Sequence, residues 1–237
     1  MTLYPTIPTP SLTASGCIGT RFAPAQAFIA GLVRCEQYDR EAIAELLTEM
    51  THGAYPHEQV YGEYCTVHAH IECPPERVFA YMSDPYSLME WTYSVRALRP
   101  STKAGLLVGV DARDTPLYCR VESHPEAFTV DYHCAWDQGD QLWMIYLNRI
   151  VPAEWVLNRP GSVLIWTNCR HPHYARNPFP ALAPRERAWV GDYWPFFYAG
   201  HSLELANLKA ILEYRVRHSL PPGPHLLAAE ALPPLPR

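Results

Sequence analysis

The chain has 237 residues, a formal net charge of −5, and hydrophobic and charged fractions of 48% and 18%. That balance fits one sizeable core with extensions. The 19 Lys and Arg are spread along the chain, which excludes the clustered basic face that nucleic-acid binding needs. No apolar run approaches the roughly 20 residues of a membrane span. The first twenty residues carry neither a basic n-region nor an apolar h-region, so a cytoplasmic protein with no membrane contact is expected. The seven Cys then read as reduced thiols, and with no CxxC pair a zinc ribbon or thioredoxin-type site is not expected.

In chain order, residues 1–22 are rich in Pro, Thr and Ser and read as an extended arm. Residues 24–35 suit a short helix. Asp39 suits the cap of a second one, with Ile43, Leu46 and Leu47 as its apolar stripe and Gly53 as its stop. From residue 65 the period becomes two: Cys65, Val67, Ala69 and Ile71 alternate with Thr66, His68, His70 and Glu72, a half-buried strand. Pro74 and Pro75 open a helix whose inner face is Val78, Phe79 and Met82, and Asp84-Pro85 breaks it before a second short helix ending near Trp91. Strands are predicted over 93–98, 106–112, 117–122, 128–136, 142–151 and 162–169, separated by turn-rich stretches as in an antiparallel meander. A helix is predicted over 194–218, with Trp194, Phe197, Tyr198, Leu205, Leu208 and Leu212 on one stripe. The proline-rich residues 219–237 read as a tail.

The order strand, two short helices, six strands and one long helix matches the helix-grip fold. The stretch IECPPERVFAYMSDPYSLMEWTYSV (71–95), with Ile71, Pro75, Glu76, Val78, Phe79, Asp84, Trp91 and Val95, resembles the opening of the START-like (SRPBCC) superfamily, in its polyketide cyclase/aromatase-like branch. The resemblance covers about 65–218. It implies an α+β fold in which a curved, seven-stranded antiparallel sheet wraps a long C-terminal helix, with an apolar cavity between them. Residues 1–64 would be an N-terminal helical extension packed on the main domain, a lid, or a homodimer contact.

His201 falls inside the apolar stripe of the last helix, where a buried imidazole has either a partner in the core or a displaced pKa and a role. Glu204, three positions on, can orient it or face solvent. Cys169, His171 and His173 share a strand face if extension continues past Arg170. With His201 they offer donors suited to Zn or Fe, although Pro172 between the two histidines cannot donate to a ladder. His171 and His173 can otherwise act as acid or base near neutral pH. Candidate substrate-contacting residues are Trp166, Arg170, Phe197, Tyr198, Tyr132, His133 and Trp136. The resemblance thus implies an enzyme acting on a small aromatic or polyketide-like molecule by cyclisation, dehydration or a related rearrangement. It would use His201, His171, His173 and Glu204 and require no cofactor. A metal-dependent enzyme using His171, His173 and His201, and a non-catalytic carrier of an apolar ligand, are the alternatives.

Overall fold

A computed structural model of the protein describes residues 32–33, 40–54, 62–111, 114–182 and 189–223. The arm over 1–22, all but residues 32–33 of the helix expected over 24–35, the Asp39 cap and most of the tail lie outside the described residues, and residues 32–33 are not helical.

Helix α1 (Arg40–Ala54) is followed by strand β1 (Tyr64–Ile71), helix α2 (Pro75–Ser83), a 3-10 turn (Pro85–Ser87) and helix α3 (Leu88–Trp91). Six strands come next: β2 (Arg96–Pro100), β3 (Leu107–Val110), β4 (Pro116–His124), β5 (Thr129–Trp136), β6 (Met144–Pro152) and β7 (Ser162–Cys169). Helix α4 (Ala153–Leu157) lies between β6 and β7. After β7 come helix α5 (Pro172–Ala175), a 3-10 segment (Val190–Phe196) and helix α6 (Phe197–Arg217). The strands form one seven-stranded sheet in the order β1-β7-β6-β5-β4-β3-β2. Every neighbouring pair is antiparallel. This is the α+β helix-grip arrangement.

The inner face follows the period-two alternation of the sequence. Cys65, Val67 and Ile71 of β1 are buried, as are Val130, Tyr132 and Cys134 of β5, Met144, Tyr146 and Ile150 of β6, and Leu164 and Trp166 of β7. Helix α6 packs across β1 and against α1 and α3. It sends Leu205, Leu208, Ile211 and Leu212 to this core and Leu203 to a smaller one with Val33 and Ile43. Asn207 joins the two. Its amide Nδ2 donates to the carbonyls of Val33 (2.7 Å) and Trp91 (3.1 Å), and its Oδ1 accepts the Val33 N–H at 2.9 Å.

The structure departs from the predicted elements where local pattern meets a backbone constraint. The strand expected over 93–98 starts only at Arg96, because the Arg96 guanidinium folds back on the preceding bend. It donates to the carbonyls of Thr92 (3.3 Å), Tyr93 (3.2 Å) and Val95 (2.6 Å). A register shift between Arg96 and Arg99, with Ala97 at φ 54°, marks a bulge there. The last helix begins as a 3-10 segment because Pro195 has no N–H to donate to an α-helical turn. Helix α4 has no counterpart among the predicted elements; Asn158 ends it in the left-handed region.

The 3-10 segment lies tightly on α5. A Cβ on Gly191 would meet the Tyr174 carbonyl oxygen at 2.0 Å, a backbone atom that cannot swing aside. Gly191→Ala is therefore expected to push residues 190–197 off their seat and to cost about 1–3 kcal/mol in urea unfolding.

Candidate functional site

Between α6 and the sheet lies a pocket of about 410 Å³. Most of its walls come from five places. Helix α1 supplies Ile43 and Leu47, and α3 with the bend after it supplies Leu88, Trp91 and Thr92 to Val95. The inner sheet face supplies Leu117, Cys119, Tyr132, Cys134, Trp136, Tyr146 and Trp166. The 3-10 segment supplies Tyr193 and Phe196, and α6 supplies Phe197, Gly200, His201 and Glu204. Strand register aligns part of this lining: Tyr132 pairs with Tyr146, and Tyr146 with Asn168, which pairs with Cys65. Trp166 is set edge-on to Trp91, with ring centroids 5.6 Å apart.

His201 is 7% exposed. Its ring stacks on Trp166 at 4.3 Å and 29°, with Phe197 at 5.3 Å and Tyr146 edge-on at 5.5 Å. Nδ1 lies 3.6 Å from the Sγ of Cys65. Loss of water around the ring disfavours its cation and drops the pKa to about 3, so at neutral pH the imidazole is uncharged. The Cys65 thiol, also desolvated, is pushed up to about 12 and keeps its proton.

Glu204 lines the pocket one turn further along α6. Its Oε1 accepts the Tyr93 N–H at 2.9 Å. Burial raises its pKa to about 7; the Tyr93 hydrogen bond and the Arg96 charge pull the other way but do not win. Its accessible surface remains partial, and because the group lines the pocket the carboxyl still meets a mostly apolar surround. The expected orienting contact is not made: among the described residues Glu204 has no hydrogen bond to His201, and Cys65 occupies that role instead.

Of the expected substrate-contacting residues, Trp166, Phe197, Tyr132 and Trp136 line the pocket. Tyr132 does so with its ring, since its hydroxyl donates to the Met82 carbonyl at 2.9 Å. Tyr198, Arg170 and His133 do not line it. Tyr198 is one helical step, about 100°, from Phe197. His133 alternates with the inward Tyr132 and Cys134 and faces Glu122 on the outer surface, 3.7 Å away. Arg170 lies just past the end of β7, where its N–H donates to the Glu63 carbonyl at 2.7 Å.

His171 and His173 are not on a strand. The inward residues of β7 are Trp166 and Asn168, so Cys169 is exposed and extension ends there. His171 caps α5, its Nδ1 accepting the His173 N–H at 3.1 Å. The two rings sit 4.1 Å apart and pack on Trp143 at 5.6 and 5.5 Å. Desolvation, then the His171 charge, lowers the pKa of His173. Neither histidine lines the pocket. Among the described residues no group of three or more His, Cys, Asp or Glu is arranged to hold a metal ion, so the expected His171–His173–His201 ligand set for Zn or Fe is not assembled. Pro172 is the physical reason: it opens a helix where the ligand set needed a strand.

Sequence reasoning passed over Tyr93, Cys119, Cys134, Tyr146 and Cys65 as site residues. Tyr146 was within reach, because Met144, Tyr146 and Ile150 share the buried side of β6. Tyr93 was not, because what ties it to the pocket wall is Glu204, 111 residues further along the chain, whose carboxylate accepts its N–H.

No protein-family model matches the chain, and no curated protein sequence does. Several solved structures are similar to it at low identity. The Zhui aromatase/cyclase from Streptomyces sp. R1128 is 11% identical, with 66% of this chain and 96% of that one covered, at a TM-score of 0.46. A START superfamily protein from Mycobacterium smegmatis is 14% identical, covering 67% and 99%, at 0.42. Protein CV1439 from Chromobacterium violaceum is 18% identical, covering 64% and 99%, at 0.42. Likeness at this level carries no information about a reaction or a ligand. Among the described residues no helix is long and apolar enough to cross a membrane.

Proposed function

We propose that this chain is an enzyme that takes a small aromatic or polyketide-like molecule into the pocket between α6 and the sheet. There the Glu204 carboxyl gives or takes a proton in a cyclisation, dehydration or related rearrangement. The observation that carries the reading is Glu204 on the wall of an aromatic-lined pocket, its carboxyl brought to a pKa of about 7 by burial. A group half-protonated at neutral pH serves as acid and as base with little loss of driving force either way. The acid–base role thereby moves from His201, whose imidazole is held neutral well below pH 7, to Glu204. Trp166, Trp136, Tyr132 and Phe197 supply flat apolar walls that orient a ring system. No metal is needed for such a step.

The base-promoted ring opening of 5-nitrobenzisoxazole tests this reading, because it asks only for an apolar pocket and one positioned carboxylate. The rate is expected to rise with pH through a midpoint near 7. In Glu204→Gln it is expected to fall by about 10²-fold or more. A wild-type rate no faster than buffer, or one untouched by the substitution, would sink the proposal. An apolar molecule co-purifying with such an inactive protein would favour a carrier using the same pocket.

A further inference from the structure

We infer that Cys65 is a positioning residue: its thiol donates to Nδ1 of His201 and holds the imidazole with its proton on Nε2, the nitrogen left free to bond an oxygen of the bound molecule. The inference rests on the proposed pocket function and deepens it, by giving His201 the part of a neutral hydrogen-bond donor and requiring an acceptor oxygen on the ligand.

The geometry is specific. Cys65 lies on the inward face of β1, opposite Asn168 in the β1–β7 register, and its Sγ sits 3.6 Å from Nδ1, within reach for a thiol bond. It is buried and does not itself line the pocket, so it acts from behind the imidazole. Nε2 makes no hydrogen bond among the described residues, yet His201 lines the pocket. Stacking on Trp166 and the contact with Phe197 set the ring plane, and the Cys65 contact sets the edge that faces β1, so the tautomer is what remains open.

Chemistry chooses between the two tautomers. A neutral imidazole carries one N–H and one basic lone pair. Burial keeps the ring neutral and keeps the thiol protonated. An S–H facing an imidazole lone pair makes a bond; an N–H facing sulfur spends the only ring donor on a weak acceptor. The first arrangement leaves Nε2–H toward the pocket and is favoured. The neighbouring Glu204 does not compete, since its hydrogen bond comes from Tyr93. No covalent step is asked of Cys65: a thiol with its pKa near 12 is a poor nucleophile.

Long-range 1H–15N correlation spectra of the His201 ring decide the question, with the signals assigned by their loss in His201→Gln. The wild type is expected to show the Nε2–H pattern, Cys65→Ser to retain it through its hydroxyl, and Cys65→Ala to show a mixed or reversed pattern. Far-ultraviolet circular dichroism confirms that each variant is folded. A second measurement reads the consequence by titrating 1-tetralone, a bicyclic ketone, and tetralin, the same bicycle without oxygen. Cys65→Ala should weaken 1-tetralone by about five- to tenfold and leave tetralin unchanged, with Cys65→Ser restoring the ketone. A Nδ1–H pattern in the wild type, or a Nε2–H pattern untouched in Cys65→Ala, overturns the inference. Failure of both bicycles to bind the wild type overturns the pocket reading instead; the nitrogen spectra judge the tautomer independently.

Discussion

Glu90→Ala is expected to remove about 3–5 kcal/mol of folding free energy, a large share of the roughly 5–15 kcal/mol that holds an ordinary domain folded. Glu90 and Arg215 are 3% and 1% exposed, and one guanidinium nitrogen reaches both carboxylate oxygens, at 2.9 and 3.2 Å. The Tyr81 hydroxyl donates to the same carboxylate at 2.7 Å, and the Arg215 guanidinium lies over the Tyr81 ring at 5.2 Å. Removing the carboxylate strands a charge inside the core, and the guanidinium has no water to turn to. The loss comes from the orphaned cation rather than from the pair's own net strength, because burying two ions costs about what their attraction returns. A double replacement, Glu90→Leu with Arg215→Leu, should therefore recover most of the stability that Glu90→Ala loses. Urea unfolding of the three variants measures this. A Glu90→Ala loss under about 1 kcal/mol would mean that the pair is not desolvated as described.

Opposite pH limbs of stability are expected from the two pocket groups on α6. Glu204 has a folded pKa of about 7 against 4.5 in an unconstrained chain. Between those values the folded chain keeps a proton that the unfolded chain has released, so stability falls as pH rises from 4.5 to 7 and stays reduced above it. Glu204→Gln should thus stabilise the protein above pH 7, by at most about 3 kcal/mol and by less where water enters the pocket, and do little below pH 4.5. His201 has a folded pKa of about 3 against 6.5. Below 6.5 the unfolded chain takes up a proton that the folded chain refuses, so stability falls as pH drops from 6.5 towards 3. His201→Phe, or His201→Gln where the larger ring does not fit, should flatten that acid limb and leave the alkaline limb alone. Urea midpoints across both limbs separate the two effects. Parallel pH profiles for the wild type and Glu204→Gln would show that the carboxyl is not desolvated. A Glu204→Gln variant more stable yet inactive on 5-nitrobenzisoxazole is the joint signature of a strained catalytic group.

Much of this protein was readable along the chain. Alternation in CTVHAHI placed Cys65, Val67 and Ile71 inside, and 162–169 matched β7 residue for residue. The stripe through Phe197, His201, Leu205 and Leu208 placed His201 on the inward side of α6. These features depend on the periods 2 and 3.6 and on the side chains within one turn or one strand, which sequence states directly. Beyond β7 the local pattern no longer predicts the backbone. HxH spacing implies a shared face only while the backbone stays extended, and Pro172 converts that stretch into the first turn of a helix packed on Trp143.

The sequence by itself determined the order of the seven strands and of the long last helix, the inward face of each main strand and the position of one histidine in an apolar stripe. Tertiary structure alone decided what those groups are chemically. Glu204 could have been an ordinary solvated helix residue. It is lifted towards neutrality because burial at the pocket wall outweighs both the Tyr93 hydrogen bond and the Arg96 charge of the bend beside it. Cys65 became the partner of His201 because β1 and α6, 136 residues apart in sequence, are pressed together by a shared core. A pKa or a tautomer is set by the free energy of charge in a particular surround, and that surround is assembled from segments whose local patterns carry no record of one another.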